Sequence, residues 1–393
     1  MSTQGLVNGG VFATQQRQKG GTLEWVTLEH TTSPGHDALE AAVNAPDPLP
    51  LRLTSFSHGG GCGCKIAPGV LQEILGRAAP GLVPKALLVG VETSDDAAVY
   101  QLNEHQAIVA TTDFFMPIVD DPFDFGAIAA TNAISDIYAM GATPLFALAL
   151  VGMPVDKLPI DTIREILAGG ESICAKAGIP IAGGHTIDSV EPIYGLVAIG
   201  VVDPANVKRN AGALPGDALI LGKPLGVGIY SAALKKGLLA PDGYAAMLAS
   251  TTQLNTPGIA LGAMPDVHAL TDVTGFGLLG HLLEICRGSG VAAKIDFARL
   301  PLHPDVMRLA RDGIVTGASA RNWAGVHQHI DLAPSVGAAE RALLTDPQTS
   351  GGLLVACAPE RLDDVLALFR ADGFARAAVI GSMAAGTPRI VVV

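Results

Sequence analysis

The sequence has no long apolar run, no cysteine framework and no excess of basic residues, and each absence excludes a class of protein. None of the apolar runs approaches the ~20 residues that a membrane-spanning helix needs. The N-terminus lacks the hydrophobic core of a signal peptide. The 25 lysines and arginines against 37 aspartates and glutamates give a net charge of −12, which disfavours a nucleic-acid partner. These absences predict a cytoplasmic protein with neither a membrane nor a nucleic acid as its partner.

Cysteine is scarce, with five residues at positions 62, 64, 174, 286 and 357. Their spacing matches neither a disulfide framework nor the paired C-x-x-C of structural zinc sites, which favours a reducing compartment. The last three have apolar neighbours and are predicted to be core residues. A Walker A motif is also missing, because Cys64 stands before Lys65 where that motif requires glycine.

The chain has 393 residues, of which 49% are hydrophobic and 16% charged, so it can bury a large core. A chain of this length typically holds about two to three domains. Residues 1–49 are rich in polar residues and end in a breaker run, which predicts a disordered N-terminal extension or the product of an upstream start codon. The remainder divides into a glycine-rich arm at 50–68, an α/β domain at 69–210 and an α+β domain at 211–393.

The glycine-rich arm reads S-H-G-G-G-C-G-C-K from Ser57 to Lys65. Glycine lets a backbone approach a ligand closely, and lysine supplies a compact charge suited to phosphate. A nearby cation also lowers the pKa of a thiol, whose thiolate is the reactive form. The arm therefore suggests chemistry on a soft nucleophile beside a phosphate, although an ordinary mobile loop with an incidental Cys-x-Cys fits the stretch equally well. A strand at 51–56 and a helix at 68–77 are predicted to flank it.

Carboxylates stand at the ends of two predicted strands. Residues 97–102 and 107–112 alternate as a β-hairpin, with Asp96 before the first strand and Asp113 after the second. Side chains at strand ends are common in ligand sites, but a single aspartate there is also an ordinary turn former.

A helix predicted at 123–140, with Asp124 as its N-cap, is apolar or small almost throughout, which is typical of a buried helix. Asn132 and Asp136 are its polar exceptions, and their i, i+4 spacing places them on one face. A buried carboxylate is costly unless it is paired. We therefore expect Asp136 either to bind a metal ion or ligand or to be hydrogen-bonded.

Two glycine segments complete the candidate site. The stretch Gly183-Gly184-His185-Thr186 is predicted to be a loop, which suits either a phosphate or base or a tight turn. Gly275 to Gly280 match G-x-G-x-x-G, a weak signal because the acidic residue, Asp272, precedes the glycines. A carboxylate followed by a glycine loop at a helix N-terminus suits a phosphate with its metal.

Seven motifs occur in order from about Leu51 to the C-terminus: S-H-G-G-G-C-G-C-K, S-D-D-A-A-V-Y, T-T-D-F-F-M-P-I-V-D, A-A-T-N-A-I-S-D-I-Y-A-M-G, A-G-G-H-T-I-D, T-D-V-T-G-F-G-L-L-G-H and D-P-Q-T-S-G-G. Together they closely resemble the selenophosphate synthetase family, also called selenide, water dikinases. The resemblance implies a two-domain fold of the aminoimidazole-ribonucleotide-synthetase (PurM-like) type, α/β and α+β with mixed sheets, in a homodimer. Residues 1–49 lie outside it.

The resemblance also implies the reaction. ATP, selenide and water give selenophosphate, phosphate and AMP, with Mg²⁺ and a K⁺-type monovalent cation, and ATP binds the N-terminal domain. Selenophosphate then supplies selenocysteine or selenouridine synthesis, and a selenium-delivery protein is a further partner.

By position, the resemblance assigns catalysis to Cys62 and Lys65 and the metal to Asp96, Asp136 and Asp272. The residues that it places near ATP and its phosphates are Lys65, Asp113, Asn132, Gly183, Gly184, His185 and Thr186.

Two other functions stay open. Another ATP-dependent synthetase or kinase of the same superfamily would share the acidic residues and glycine loops but has no need of the G-C-G-C-K arm. A non-catalytic selenium carrier would use the arm, but it gives no reason for acidic residues at 96, 113, 136 and 272.

Overall fold

The structure is a computed structural model. It describes residues 13–19, 22–28, 51–66, 70, 74, 83–90 and 95–393. Contacts within the chain define two units, Met1–Leu51 and Arg52–Val393.

The first unit contains a β-hairpin. Strands β1 (Ala13–Lys19) and β2 (Thr22–Leu28) pair antiparallel. The predicted disorder of residues 1–49 stays a prediction, because the rest of that segment lies outside the described residues. Of the helix predicted at 68–77, only Val70 and Ile74 are described, and both are helical.

In the described part of the second unit, a six-stranded mixed sheet comes first along the chain. Its strands are β3 (Leu87–Val89), β4 (Ala98–Asn103), β5 (Gln106–Phe115), β6 (Thr143–Met153), β7 (Ile181–Asp188) and β8 (Ile193–Val202). Their order is β3-β4-β5-β8-β6-β7. Strands β6 and β7 run parallel, and the other neighbours are antiparallel. The predicted hairpin is confirmed as β4 and β5.

Helices α1 (Pro122–Ala139) and α2 (Ile160–Lys176) pack against each other, and α1 lies against the sheet. Helix α1 is buried, as predicted, and its small residues allow it to pack closely against its neighbours. At Gly126 even a Cβ would collide with the backbone of Ile166 on α2. The predicted N-cap, Asp124, is wrong. Asp121 is the cap and accepts a hydrogen bond from the Asp124 N–H at 2.9 Å, because Pro122 already occupies the first helical turn.

A seven-stranded mixed sheet lies within residues 215–393. Its strands are β9 (Ala218–Leu221), β10 (Val267–Asp272), β11 (Ala292–Ile295), β12 (Ile330–Leu332), β13 (Leu353–Cys357), β14 (Ala378–Ala384) and β15 (Ile390–Val392). They run in the order β10-β13-β9-β14-β11-β15-β12, with β11, β15 and β12 mutually parallel. Both sheets are therefore mixed, as expected for an α/β and α+β fold.

Eight helices are described in the same half of the chain: α3 (Val227–Lys235), α4 (Pro241–Thr251), α5 (Pro257–Gly262), α6 (Gly277–Ser289), α7 (Val306–Arg311), α8 (Gly317–Val326), α9 (Ala338–Leu344) and α10 (Leu362–Ala371). None of the helices that the structure describes has the length and apolar character to cross a membrane. Helix α1 also contacts β10, which brings the polar face of α1 next to the end of that strand.

Two local predictions are wrong. The strand predicted at 51–56 is a 3₁₀ turn, Leu53–Phe56, because Asp120 accepts hydrogen bonds from the backbone N–H and the hydroxyl of Thr54 at 3.0 and 2.6 Å. The loop predicted around Gly183 is strand β7, because parallel pairing with β6 extends it. At Gly184 that pairing leaves no room for a Cβ against Ala149.

Candidate functional site

The glycine arm folds into a 3₁₀ turn, Gly61–Cys64, that lies between the two halves of the second unit. On one side, the Gly61 N–H donates to the carbonyl of Met116, just after β5, at 2.9 Å. On the other, the Cys62 N–H donates to Thr349 Oγ1 at 3.0 Å. Gly61 has φ of +54°, a conformation that glycine adopts at little cost. The arm is therefore docked against both halves. This differs from the ordinary mobile loop that the sequence left open as an alternative.

Cys62 is almost completely buried, with 1% of its surface exposed. Its Sγ donates to Asn132 Oδ1 at 3.2 Å. Burial raises the pKa of Cys62 far above the usual range for a thiol, and Lys65 lowers it by a smaller amount. The expected effect of the lysine is present, but the expectation of a thiolate is wrong for this docked arm, because loss of solvation outweighs the neighbouring charge.

Lys65 lies beside Asp113, with Nζ 3.6 Å from Oδ2. Burial lowers the pKa of Lys65, but the carboxylate of Asp113, with smaller effects from Cys62 and Asp136, raises it above the usual value overall. The side chain stays 40% exposed, so its ammonium is charged and within reach of a ligand. A fixed cation of this kind can bind a phosphoryl oxygen.

Asn132 joins the arm to both halves of the unit. Its amide nitrogen donates to Asp113, and its Oδ1 accepts from the Cys62 thiol and from the Ser350 N–H at 2.7 Å. The residue is completely buried. Asn132 thus positions the residues around it by hydrogen bonds, and its placement near ATP stays a prediction.

Three carboxylates form a separate cluster next to this group. Oxygen atoms of Asp96, Asp136 and Asp272 all lie within 4.8 Å of one another. Asp96 lies two residues before β4, Asp136 lies on α1 and Asp272 ends β10. The sequence predicted all three, and the contact between α1 and β10 brings them together.

Hydroxyl groups orient each of the three carboxylates. Thr271 Oγ1 donates to Asp96 Oδ1 at 2.9 Å, and Thr111 Oγ1 donates to Asp136 Oδ2 at 2.5 Å. Asp272 accepts from the hydroxyl of Ser135. Sequence reasoning missed these three donors. Ser135 and Thr271 each directly precede an aspartate, which is the available signal, but a hydroxyl beside an acid is too common to single out.

The cluster fits a divalent cation. Burial and mutual repulsion raise the pKa of Asp96 and Asp136 well above the usual range of a carboxyl group, and burial raises that of Asp272. Oδ2 of Asp96 is buried and has no hydrogen-bond partner. Carboxylate oxygens are the ligands that Mg²⁺ prefers, and a bound cation would satisfy the free oxygen and offset the repulsion.

The structure does not bring every predicted residue together. Strand β7 is at the edge of the six-stranded sheet, and four predicted residues lie on it and are exposed: Gly183, Gly184, His185 and Thr186. No hydrogen bond or ion pair within the described residues links them to Cys62, Lys65 or the three clustered aspartates. Their assignment to the nucleotide stays a prediction.

The D-P-Q-T-S-G-G segment supports the arm from the second half of the chain. Asp346 Oδ2 accepts from the N–H groups of Gly228 and Ile229 at 2.9 and 3.2 Å, which caps the first turn of α3. Thr349 and Ser350 then meet Cys62 and Asn132. The motif was visible in the sequence as turn chemistry, but its role as a support for Cys62 was not.

A cavity of about 360 Å³ opens beside this group. It is lined by Cys62, Lys65 and Asp113 together with apolar residues that include Phe114 and Met116. A thiol, an ammonium and a carboxylate thus face one space, next to a carboxylate cluster that fits a metal ion.

Models of two protein families match the chain. The AIR synthase related protein N-terminal domain matches residues 94–202, and the corresponding C-terminal domain matches residues 215–393. The two matches together cover most of the chain and confirm the predicted fold type. The placing of the boundary at residue 210 stays a prediction.

Curated relatives are much closer in sequence. A protein of Burkholderia cenocepacia named "Selenide, water dikinase" is 67% identical over 349 residues, which are 89% of this chain and 98% of that protein. One from Pseudomonas straminea with the same name is 66% identical over 342 residues, or 87% of this chain and 96% of that protein.

Among solved structures, hydrogenase maturation protein HypE in complex with ATP has a TM-score of 0.57. It is 21% identical and covers 87% of this chain and 94% of its own. At this identity the likeness describes the fold alone. The proteins named "Selenide, water dikinase" are therefore far more similar to this chain in sequence than this structural neighbour is.

Proposed function

This chain belongs to the selenide, water dikinase family, and from its site we propose how it converts ATP, selenide and water into selenophosphate, phosphate and AMP. The main support for the proposal is that Cys62, Lys65 and Asp113 line one cavity, next to the cluster of three carboxylates. Transfer of phosphoryl groups concentrates negative charge, so catalysis depends mainly on positioning and on compensating cations.

Lys65 binds a phosphoryl oxygen of ATP in this proposal. Asp113, 3.6 Å away, holds the ammonium in place and keeps it protonated. Asn132 fixes Asp113 in turn. The charged lysine therefore stabilises the negative charge that develops as the γ-phosphoryl group passes to selenium.

Asp96, Asp136 and Asp272 hold Mg²⁺. Their close oxygens, the unpartnered Oδ2 of Asp96 and the raised pKa values of Asp96 and Asp136 support this assignment. The ion supplies positive charge to the phosphate oxygens of ATP. The assignment of a K⁺-type cation rests on the family resemblance alone.

Cys62 guides selenium at the γ-phosphoryl group. In the docked arm its thiol is protonated and bonded to Asn132. Burial opposes the thiolate, so the arm must shift or a proton acceptor must approach before the thiol can lose that proton. A docked arm also excludes water until selenium is phosphorylated, and the remaining ADP is hydrolysed afterwards in the same site.

A homodimer is supported by the outer face of the six-stranded sheet. Alternate residues of β4, β5 and β8 leave apolar side chains uncovered, among them Tyr100, Ile108, Phe114, Val197 and Ile199. Tyr100 and Phe114 are 44% and 52% exposed. A contiguous apolar face of this kind is typical of an interaction surface, and a second copy would cover it.

The remaining assignments rest on composition and on the family resemblance. All five cysteines are free thiols, which is consistent with the proposed cytoplasmic location. The net charge of −12 agrees with small-molecule substrates rather than a nucleic acid. A selenium-delivery protein and the use of the product for selenocysteine or selenouridine stay proposals from the resemblance.

The deciding experiment is anaerobic turnover of ATP with Mg²⁺ and selenide, followed by phosphorus NMR. The wild-type chain should form a selenide-dependent phosphorus species, with AMP and phosphate in equal amounts, and chelation of Mg²⁺ should stop the reaction. Cys62→Ser should lower turnover by roughly 10²-fold or more. Cys64→Ser, in the same arm, is the matched control and should keep turnover within a few-fold.

Two results would contradict the proposal. Accumulation of ADP as the end product would indicate an ordinary kinase or synthetase on this fold. Selenium binding without any ATP turnover would indicate the non-catalytic carrier.

A further inference from the structure

A second cavity, of about 470 Å³, is lined by residues of the glycine arm other than those that line the cavity beside Lys65, which we call the reaction chamber. Gly59, Gly60 and Gly63 of the arm form part of its wall, and Thr349 forms another part. Thr349 also accepts the hydrogen bond from the Cys62 N–H. The arm therefore contributes residues to both cavities.

The cavity is lined by three cationic side chains, Lys235, Lys236 and Arg321, and we call it the basic pocket. None of its lining residues is an aspartate or a glutamate. His58 on the rim is paired with Glu191 at 2.9 Å. In a chain with a net charge of −12, three cations without acids between them are a local exception. A cleft of one sign raises the local concentration of ligands of the opposite sign.

The hydrogen-bond partners of the cations within the described residues are neutral. Arg321 donates to the carbonyl of Gly63 at 3.1 Å, and Lys235 donates to the carbonyl of Ser57 at 3.2 Å. The side chain of Lys236 has neither a hydrogen bond nor an ion pair among the contacts described for residues 95–393 and the arm. Carbonyl oxygens satisfy donors without neutralising charge, although the carboxylate of Glu191 is near enough to Lys235 for the two charges to interact.

Hydroxyl groups complete the lining. Ser231, Thr316 and Thr349 face the pocket beside the cations. Three cations and three hydroxyls supply more donors than a single carboxylate can accept, and they match the several oxygens of a phosphate group.

We propose that the basic pocket binds a phosphate-class oxyanion, namely a phosphorylated product on its way out of the reaction chamber. The choice of ligand rests on the proposed function, because that reaction forms three such anions: orthophosphate, selenophosphate and AMP. The pocket is adjacent to the arm that closes the chamber. Because Lys235 and Arg321 also hold the arm by its carbonyls, an anion at these cations competes for the same donors and favours release of the arm.

The test measures binding alone, on the full chain without ATP or selenide and with Mg²⁺ chelated. Three anions are titrated separately by calorimetry: orthophosphate, AMP and thiophosphate, the sulfur analogue of selenophosphate. The comparison shows which of them the pocket binds. We expect saturable binding of at least one of them, weakened by added salt because exposed charges are screened.

Lys236→Gln is the most informative variant, because its side chain supports no other described contact. It should raise the dissociation constant about three- to fivefold, and the Lys236→Gln/Arg321→Gln double variant about tenfold or more. Lys157→Gln makes the same change of charge at an exposed position away from the pocket and should leave binding within twofold.

Three outcomes would overturn the proposal. The first is no saturable binding of any of the three anions by the wild-type chain. The second is equal weakening in Lys157→Gln, which would mean a bulk charge effect. The third is loss of binding in Lys65→Gln with binding retained in Lys236→Gln, which would place the anion in the reaction chamber.

The results of the binding test and of the turnover test are independent of each other. If selenide-dependent turnover is absent but the anion binds through Lys236 and Arg321, the pocket stands and its assignment to a product is lost. If turnover is present but no anion binds, the dikinase proposal stands and the basic pocket is rejected.

Discussion

Lys223 is a buried residue, only 2% exposed, that supports the site without touching the cavity beside Cys62. Its Nζ donates to the carbonyls of Ser350 and Gln253 at 2.9 and 2.7 Å. Ser350 has φ of +50°, an uncommon conformation for a residue with a Cβ. Its N–H bonds to Asn132, which accepts from Cys62. Lys223 therefore helps to hold Ser350 in the orientation that fixes the thiol.

Burial lowers the pKa of Lys223 to about 7, while the charge of Asp272 raises it by a smaller amount. A neutral amine still has two N–H donors, which match its two carbonyl partners. Because the unfolded chain binds the proton up to a pH near 10.5, protonation in this window favours the unfolded state. Stability should therefore rise with pH between about 7 and 10.5 and gain nothing below 7.

We expect Lys223→Met to remove this part of the pH dependence. The free energy of unfolding, measured with urea at several pH values, should rise less steeply above pH 7 in the variant, by up to about 1.4 kcal/mol per pH unit. Lys157→Met, an exposed change of the same type, is the control. Identical slopes for wild type and Lys223→Met would contradict the assignment.

At the scale of elements, the arm is held by a tight fit as well as by hydrogen bonds. A Cβ at Gly61 would collide with Thr349 Oγ1 and would lie 2.8 Å from Ile118 Cδ1. Thr349 is the acceptor that anchors the Cys62 N–H. The turn Gly61–Cys64 can therefore dock only with glycine at this position.

Gly61→Ala should displace the arm and lower selenide-dependent turnover by about 10²-fold, since a small misplacement of reacting groups has an effect of this size. The matched control is Gly178→Ala. Gly178 also has a positive φ, +73°, but a Cβ there meets nothing within 4 Å. Both variants should lose about 1–2 kcal/mol from backbone strain, measured by urea unfolding. Equal turnover in the two variants would mean that the fit against Thr349 is unimportant.

For the whole molecule, the central prediction is the association of two copies through the outer face of the six-stranded sheet. Ile199 lies in the middle of that face, opposite Ala110 of β5. Ile199→Glu would place a charge in the interface, where desolvation without a partner is costly. The variant should elute as a monomer in size-exclusion chromatography with light scattering, at half the mass of the wild type.

Val155→Glu is the control for that experiment, because Val155 is 59% exposed but follows β6 and lies outside the sheet. It should keep the mass of the wild type. A wild-type chain that is monomeric at micromolar concentration, or an Ile199→Glu variant that stays dimeric, would contradict the proposed dimer.

The sequence by itself determined the family and the order of the motifs, and it predicted most residues of the candidate site. Cys62 and Lys65 in a glycine run, Asp136 on an apolar helix and Asp272 before a glycine loop had local signals, whereas Asp96 and Asp113 have the setting of ordinary turn formers and were assigned through the family resemblance. These signals are local, so a reading of neighbouring residues could find them. The hairpin of β4 and β5 was predictable for the same reason.

The tertiary structure decided how those groups act. The bonds from Cys62 to Asn132 and Thr349 span 70 and 287 residues of sequence, and no local pattern encodes such pairs. Burial of Cys62 outweighs the effect of Lys65 on its pKa, and burial depends on packing from both halves of the chain. The basic pocket is assembled in the same way, from Lys235 and Lys236 at the end of α3 and from Arg321 of α8, which is 85 residues beyond Lys236. Residue types set the available chemistry, but only the packing of distant segments set its geometry and charge.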